Sequence, residues 1–452
     1  QPENIIINDT RRDSPLDDMD SFIFILDTFN DNQNGYAFGT NAAGIEYDAQ
    51  ITKGGENISR IGRFSSGAGG AFNINWDGSW TVKTKIHDYG WSAEFKIPFK
   101  TLRYSSEKTQ EWGVNFQRVN ASIQEVSHWS PINRQFTVNR LISAGSLKNI
   151  NPPISQNIKF IPYFMTQRNS FSGDQSNSNN LDTDGGFDGK VSIGSSLNLD
   201  LTYNTDFAQA EADEQQINLD RFSLFFPEKR AFFLENAGLF SVGDNSFGGS
   251  EVSMFFSRRI GIDEDGNQAP INGGARLTGT IANMRIGLLN MSTKPVGGNP
   301  SNEYQILRLK KELPNRSHIG AIITNLTKLG NEKYSNEVIG IDAKWGIGEV
   351  SQIDGYTAIS KTPLLDRSKA YAFRVQASST GKMFSNALSY TEIGKDFNPE
   401  MGFLKRTGGY RKWSGRIFTR LRPENPFGIL ELRPHINYDG YWKLDGFHQT
   451  GK

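Results

Sequence analysis

The sequence predicts an all-β protein in two parts, an N-terminal β-sandwich followed by an antiparallel transmembrane β-barrel. Short strand-like runs between turn-forming clusters fill the first region, whereas the second has runs of about ten residues in which apolar and polar side chains alternate strictly. Helical periodicity is almost absent from both. The chain has 46 glycines and an aromatic content of 12 %, and both values exceed typical usage. This composition is typical of β structure with many turns.

The N-terminal sandwich is predicted for residues 1–149. SFIFILDTF is strand-like, DNQNG is a turn and YAFGTN resumes the strand, while WTVKTKIHDYGWSAEFKIPF predicts a hairpin. The side chains that could share the buried face of this hairpin are Val82, Ile86, Trp91, Ala93 and Phe95. Antiparallel strands of this kind form a sandwich most simply. Residues 150–157, which include Pro152 and Pro153, are predicted to be a linker.

The barrel is predicted for residues 158–452. In FDGKVSIGSSLNLDLTYN, apolar side chains recur at even spacings, namely Phe187, Val191, Ile193, Leu197, Leu199, Leu201 and Tyr203. Polar and charged residues fall between them, so one face of the strand is apolar and the other is wet. Tandem repetition of such strands suits a barrel in lipid with a polar interior. A large soluble β protein also alternates, but its strands usually have only about five or six residues.

The composition excludes several classes of function. Lys plus Arg and Asp plus Glu both number 49, so no net field recruits nucleic acid. The chain has no cysteine, which excludes disulfides, thiolate metal sites and cysteine nucleophiles. No apolar window reaches the roughly 18 residues that a membrane-spanning helix needs. The motifs GxSxG and HExxH and a phosphate loop are absent, so we expect no enzyme activity.

Several blocks of the sequence resemble a known family. TDFAQAEADEQQINLDRFSLFFPEKRAFFLENAGLF, FFSRRIG, GGARLTGTIANMRIGLLNM and IGKDFNPEMGFLKR are similar to successive blocks of an outer-membrane β-barrel family of uncharacterised function (domain of unknown function 5916) that is frequent in Bacteroidota. Upstream, RRDSPLDDMDSFIFILDTFNDNQNGYAFGTNAAG and DGSWTVKTKIHDYGWSAEFKIPFKTLRY resemble the N-terminal domain of that family, which is similar to family 9 carbohydrate-binding modules. The resemblance implies a Gram-negative outer membrane, with the module in the periplasm. By comparison with the family, we expect residues to be missing at both ends.

The segment RFSLFFPEKRAFFLENAGLF sets two aromatic pairs around a group of charges, and this suits neither water nor lipid. We expect residues 206–240 to fold into the barrel, where the phenylalanines leave water and the charges pair with others on the wall. The residues of this predicted plug or constriction are Phe225, Phe226, Glu228, Lys229, Arg230, Phe232, Phe233 and Glu235, with Arg258 and Arg259 as possible partners. The segment could serve as a purely structural plug or as a constriction that contacts a solute.

Two further kinds of site are weaker predictions. The tryptophans that could stack on sugar rings are Trp76, Trp80, Trp91, Trp112 and Trp129, and of these Trp76 is the candidate for an exposed carbohydrate-binding residue because Trp80 and Trp91 fall inside the alternating hairpin. Carboxylates that could hold a structural calcium are Asp206, Glu211 and Asp213 beside the plug, and Asp17, Asp18, Asp20 and Asp27 in the sandwich. Salt bridges and a polar strand end explain these carboxylates equally well. No other cofactor is expected.

The function expected from these features is transport or assembly by an outer-membrane barrel that carries a periplasmic module. One alternative is a structural subunit of a larger outer-membrane complex. Another is a surface or periplasmic protein that binds carbohydrate. The expected partners are outer-membrane lipid, other outer-membrane proteins in a complex and a glycan, but not nucleic acid.

Overall fold

The protein is nearly all β in the computed structural model. The described residues are 2–56, 71–153, 158–171, 178–194, 196–204, 228, 230–242, 251–262, 269–281, 284–295, 299–330, 333–424 and 428–451. Two sheets contain most of the strands, and the strands of the first end at Ile150 whereas those of the second begin at Ile158. We call residues 2–150 the module and the second sheet the large sheet. Within the described part of the chain, no helix is long and apolar enough to cross a membrane.

The module is built on a seven-stranded sheet with the order β4-β3-β2-β1-β7-β8, in which β9 also pairs with β7. A separate hairpin is formed by β5 and β6. The strands are β1 (Ser21–Asp27), β2 (Gly35–Asn41), β3 (Tyr47–Ile51), β4 (Phe72–Asn73), β5 (Thr81–His87), β6 (Gly90–Lys96), β7 (Gln110–Asn120), β8 (Glu125–His128) and β9 (Gly145–Ile150). Short 3₁₀ turns lie at Pro2–Asn4, Lys53–Gly55, Phe99–Thr101, Ala121–Ile123 and Leu141–Ser143.

Alternation in β1 places apolar side chains on both faces of the module's sheet. Ile23 and Ile25 belong to one buried cluster, and Leu26 belongs to another on the opposite face. The predicted hairpin is present, with Val82 opposite Phe95. The Phe95 ring stacks on Trp80 at 5.7 Å between centroids, so this end of the hairpin covers the sheet. The other end stands free, since Ile86 is 48 % exposed.

The large sheet has fourteen strands in the described part of the chain, each antiparallel to its neighbours. The C-terminal strands are β10 (Ile158–Phe171), β11 (Ser178–Ile193), β12 (Leu197–Tyr203), β13 (Val252–Ser253), β14 (Ile271–Ile281), β15 (Met284–Thr293), β16 (Asn302–Leu313), β17 (Ser317–Leu329), β18 (Lys333–Ile347), β19 (Ser351–Lys361), β20 (Tyr371–Thr380), β21 (Phe384–Ile393), β22 (Phe403–Leu404), β23 (Tyr410–Thr419), β24 (His435–Trp442) and β25 (His448–Gly451). All except β13 and β22, which pair with each other, form a meander in chain order. No pairing among the described residues joins β10 to β25, so the structure shows a large antiparallel sheet and not the closed ring that the sequence predicts.

The two faces of the large sheet differ, and their polarity is the reverse of that in a soluble protein. In β18, Ile339, Ile341 and Trp345 are 40 %, 50 % and 64 % exposed, whereas the alternate residue Lys344 is 7 % exposed. The strand β12 behaves in the same way, because Leu201 is exposed and Asp200 is buried. We call the apolar side the open face and the charged side the covered face.

The two ends of the large sheet have different connections. At one end, β11–β12, β14–β15, β16–β17, β18–β19 and β20–β21 are joined by short turns, with one longer connection between β23 and β24. At the other end, β12–β14, β15–β16, β19–β20 and β21–β23 are joined by longer loops. We call them the short-turn end and the long-loop end. The long connection between β12 and β14 contains two short helices, α1 (Ala231–Leu234) and α2 (Ala237–Phe240), and the 3₁₀ turn Ser257–Arg259; a further 3₁₀ turn lies at Arg367–Lys369.

Candidate functional site

Two parts of the chain, the module and an inserted segment, lie against the covered face. We use the name inserted segment for the described residues 228, 230–242 and 251–262 between β12 and β14. Its apolar side chains Phe233, Phe240 and Met254 belong to one buried cluster with covered-face residues such as Ile322 and Val338. The inserted segment therefore has an apolar core in common with the sheet.

The charges of the FFPEKR block fold the inserted segment on itself. Arg230 donates from its Nε to Glu228 Oε1 at 2.8 Å and from its Nη2 to Glu228 Oε2 at 2.7 Å. The same guanidinium donates to the carbonyl oxygens of Ile260 and Ser257, and it lies 4.2 Å from the centre of the Phe233 ring. Burial opposes ionisation of Glu228, but the hydrogen bonds and charge of Arg230 outweigh it and lower the pKa of Glu228. The charged residues thus act as an internal clamp while the aromatic rings pack.

Glu235 connects the inserted segment to both the sheet and the module. Its carboxylate contacts Lys190 of β11, lies 2.9 Å from Arg103 Nη2 of the module and lies 4.0 Å from Arg276 of β14. Arg276 also pairs with Asp200 at 2.8 Å and donates to the Glu235 carbonyl oxygen at 2.8 Å. Burial opposes ionisation of Glu235, but these three cations outweigh it and lower its pKa to about 2.

Glu56 forms a second centre, at the short-turn end. It is contributed by the module, and its carboxylate contacts Arg316, lies 2.9 Å from Lys344 Nζ and lies 3.2 Å from Arg140 Nη1. Glu56, Lys344 and Arg316 are 8 %, 7 % and 3 % exposed, so the cluster is almost fully buried. Burial raises the pKa of Glu56, but Lys344, Arg140 and Arg316 together lower it below its ordinary value.

A third carboxylate that faces cations of the sheet or its loops, Glu251, lies directly before β13 in the inserted segment. It accepts hydrogen bonds from Lys412 of β23 at 2.8 Å and from the Tyr441 hydroxyl at 3.0 Å, and Lys405 lies 3.6 Å away. Glu251 is 3 % exposed. All three carboxylates are therefore supplied by the module or the inserted segment, and each faces cations of the sheet or its loops.

Hydrogen bonds complete the contact between the module and the rest of the protein. Gln50 donates to Asn236 Oδ1 at 3.2 Å, and Asn73 donates to the Leu234 carbonyl oxygen at 3.0 Å. Arg140 donates to the Glu349 carbonyl oxygen at 2.9 Å. A cavity of about 40 Å³ remains where module, inserted segment and sheet meet, which is room for only a few water molecules.

Residues 152–290 match the family described as Domain of unknown function (DUF5916). The match spans β10–β15 and the inserted segment, so the resemblance found in the sequence is supported for that part of the chain. The module, residues 2–150, lies outside the match. Its similarity to carbohydrate-binding modules stays a prediction, as does the origin in Bacteroidota. No curated protein matches the chain.

The solved structures that are similar to this chain include three of very low identity. OccAB4 of Acinetobacter baumannii has 9 % identity, with 93 % of this chain and 92 % of that chain covered, at a TM-score of 0.28. OccK7 (OpdD) of Pseudomonas aeruginosa has 7 % identity, 93 % and 91 % coverage and a TM-score of 0.25. OccAB1 of A. baumannii has 9 % identity, 80 % and 87 % coverage and a TM-score of 0.24. TM-scores at this level carry no argument about function.

The residues predicted for the plug are only partly within the described chain. Phe225, Phe226 and Lys229 lie outside the described residues. Phe233 is 5 % exposed, and Phe232 packs beside the same apolar cluster. These two rings lie against the covered face.

Arg258 and Arg259, predicted as possible partners for the charges of this block, do not pair with Glu235. Its carboxylate is paired by Arg103, Lys190 and Arg276, and not by Arg258 or Arg259. Arg259 instead donates to the Gly402 carbonyl oxygen in the loop before β22. Covered-face cations of β11 and β14 reach the end of α1, whereas the turn that holds Arg258 and Arg259 lies farther along the segment.

The expectation that Trp76 is an exposed sugar-stacking residue is also wrong. Trp76 is 7 % exposed and packs against Tyr36 and Phe38, with ring centres 5.0 and 6.0 Å away. It belongs to the core because the loop before β5 folds it beneath the sheet. Of the other tryptophans, Trp129 is 59 % exposed.

The calcium expectation gains no support from the geometry. Among the described residues, no group of three or more His, Asp or Glu side chains could hold a metal ion. Asp20 accepts a hydrogen bond from the Ile6 amide, and Asp27 accepts from the amides of Asp31 and Asn32. The other candidates, Asp206, Glu211 and Asp213, lie outside the described residues.

Sequence reasoning missed the Glu56 centre altogether. Glu56 stands in TKGGENIS, a stretch that resembles an ordinary polar turn, and its partner Arg316 is 260 residues away. The only available signal was the turn PNRS between two strongly alternating strands, where an arginine is unremarkable.

Replacing Glu56 with Gln should weaken the docking of the module. The variant leaves Arg316, Lys344 and Arg140 buried without their counter-ion, which typically costs about 3–5 kcal/mol when one partner of a buried pair is removed. We expect much faster hydrogen exchange at the contact between module and sheet, measured by mass spectrometry on the detergent-solubilised chain. Glu107→Gln, at an exposed position of the module, is the matched control. Equal exchange in the two variants would contradict a stabilising role for Glu56.

The stabilisation of the folded protein by Glu235 should decrease as the pH falls. Because its pKa is lowered from 4.5 to about 2, the ion pairs stabilise the folded protein above the ordinary pKa and are lost as the pH falls through that window. We expect Glu235→Gln to melt below the wild type at neutral pH, and the difference between the two Tm values to close in acid. A Tm difference that stays constant down to the acid limit would argue against this pairing.

Proposed function

We propose that the protein is an outer-membrane β-barrel whose interior is closed at rest from both ends, and that it opens to let a solute or a polypeptide pass. The observation that carries this proposal is the reversed polarity of the large sheet, with apolar side chains on the open face and charged ones on the covered face. Transport or a role in assembly follows from a charged interior that can be hydrated.

The open face suits hydrocarbon and not water. Along neighbouring strands β17 to β20 the exposed residues form continuous apolar rows, namely Ile319, Ile323, Ile339, Ile341, Ile353, Ile359, Phe373 and Val375. A contiguous apolar surface of this extent is rare on soluble monomers and marks a surface that contacts lipid or another protein. The four strands that carry these rows have 10 to 15 residues each, which is the length needed to cross a bilayer.

Closure of the sheet into a barrel is part of the proposal. Hydrocarbon does not hydrogen-bond the backbone, so an unpaired strand edge in lipid leaves donors and acceptors unsatisfied at a cost of several kcal/mol each. The meander of antiparallel strands is the topology in which barrels of this class close.

The module is proposed to lie in the periplasm. Outer-membrane barrels have short periplasmic turns and longer extracellular loops. The module contacts the short-turn end, since Arg316 and Glu349 lie in the β16–β17 and β18–β19 turns. The inserted segment enters from the long-loop end. On this basis the module would be a β-sandwich cap beneath the barrel, as the resemblance to carbohydrate-binding modules also suggests.

The module is the part that we expect to dissociate from the sheet and the inserted segment. None of the buried apolar clusters of the described chain combines residues of the module with residues of the sheet or the inserted segment. The contacts of the module with the sheet and the inserted segment include ion pairs and hydrogen bonds, which water can replace when the surfaces separate. The inserted segment, by contrast, is part of the apolar cluster of the covered face. Opening therefore starts with release of the module.

A lysine placed in the middle of the open face should block membrane insertion. Ile341 lies near the centre of β18, so Ile341→Lys should cost about 2–4 kcal/mol at the bilayer midplane. We expect a lower folded yield in lipid vesicles, measured by the electrophoretic shift between heated and unheated samples. The control Ile347→Lys lies at the end of the same strand and should cost only about 0–1 kcal/mol. If both variants fold as the wild type does, the open face is not lipid-exposed.

A disulfide between module and inserted segment should hold the protein closed. A Cβ atom at Gly238 would lie 3.4 Å from the Thr52 Cβ, which is close to the distance that a disulfide needs, and the chain has no cysteine of its own. We expect Thr52→Cys with Gly238→Cys to show no current steps in planar bilayers when oxidised and to show them after reduction.

The two single variants are the controls for this lock and should conduct in both states. Identical currents in the oxidised and reduced double variant would contradict release of the module. A complete lack of current in every variant would sink the transport function.

A further inference from the structure

The two cations of the sheet that contact Glu56 have their counter-ion on the module and not on the sheet. Arg316 and Lys344 belong to the large sheet and its turn, whereas Glu56 belongs to the module. Arg140 belongs to the module and would leave with Glu56. Asp354, opposite Lys344 in the strand register, and Glu349 in the β18–β19 turn would stay with the sheet, whereas Glu56, which contacts both cations directly, would leave. Release of the module therefore exposes a cationic pair at the short-turn end.

The module places a further lysine near these charges while it is docked. Lys53, in the turn before Glu56, lies near this part of the sheet. Burial lowers the pKa of Lys53 to about 8, and the charges of Lys310 and Lys344 add to this effect although Asp342 and Asp354 oppose it.

Arg316 is held in a fixed orientation by the sheet itself. Its Nη2 donates to the carbonyl oxygens of Gly348 at 2.8 Å and Ser351 at 3.1 Å, while Nη1 contacts Glu56. The guanidinium does not depend on Glu56 for its position. A preorganised guanidinium beside an ammonium group is the arrangement that binds carboxylate or phosphate oxygens.

We propose that Arg316 and Lys344 form an anion-binding subsite of the open protein, which Glu56 occupies while the module is docked, and that the solute carries carboxylate or phosphate groups. This inference rests on the proposed transport function, because it names the class of solute. In this scheme the anion competes with Glu56 for the two cations. A solute that arrives at the short-turn end thus favours release of the module.

Other cations of the sheet are less suited to this role. Arg308 is paired within the sheet by Asp342 at 2.5 and 2.9 Å, and Lys310 by Glu312 at 2.8 Å. Arg276 keeps Asp200 whatever the module does. The Arg316 and Lys344 pair is therefore the place where loss of the module changes the charge most.

Competition between the anion and Glu56 can be measured without recording ion currents across a bilayer. The rate of disulfide formation in the Thr52→Cys, Gly238→Cys double variant reports how often the module is docked. We expect inorganic phosphate to slow this rate at least about threefold relative to potassium chloride of equal ionic strength, since a bidentate anion contact is stronger than simple screening. Acetate, tested in parallel, distinguishes carboxylate recognition from phosphate recognition.

Two further variants separate specific binding from screening. Adding Arg316→Gln should abolish the phosphate effect, whereas adding Lys311→Gln should preserve it, because Lys311 lies on the open face of β16. If neither phosphate nor acetate slows the disulfide more than chloride does, or if Arg316→Gln leaves the effect intact, the subsite is overturned whatever the currents show. Currents that are absent while the phosphate effect persists would instead sink the transport function and leave the anion site standing.

Discussion

The structure depends on one constraint, which is that charged side chains buried on the covered face must meet opposite charges. A buried charge without a partner costs several kcal/mol, so each cation of this face needs a carboxylate within reach. The sheet satisfies some of them itself, as Arg308 with Asp342 and Arg276 with Asp200. Others, such as Arg316, Lys344 and Lys412, meet carboxylates of the module and the inserted segment. Charge pairing thus specifies how the three parts assemble.

The inserted segment and the module obey this constraint differently. The inserted segment combines ion pairs with an apolar cluster, in which Phe233, Phe240 and Met254 leave water together with residues of the sheet. Hydrophobic burial of this kind is lost only if the segment unfolds from the sheet. The module contributes Glu56 and Arg103 but shares no apolar cluster with the sheet in the described chain. The covered face is therefore occupied by one part that shares its apolar core and by one part that does not.

Local patterns predicted the strands well because alternation is a property of neighbouring residues. The stretch from Phe187 to Tyr203 and the hairpin of Val82 and Phe95 have the apolar faces that the sequence predicts. Site prediction failed where the partner is distant in sequence. Glu235 is paired by Arg103, which is 132 residues away, and Trp76 is buried by rings that belong to β2. No local signal distinguishes an exposed loop tryptophan from one that a later packing step covers.

By itself, the sequence determined that the chain is nearly all β, that the character of its strands changes near residue 150, and that the later strands separate apolar from charged side chains. These features follow from the two-residue period of a strand and from turn-forming residues, which act over a few positions. Only the tertiary structure decided that Glu56, Glu235 and Glu251 each meet cations of the sheet or its loops. These ion pairs depend on which strands become neighbours and on how the module docks. Both are set by the whole fold and not by any window of sequence.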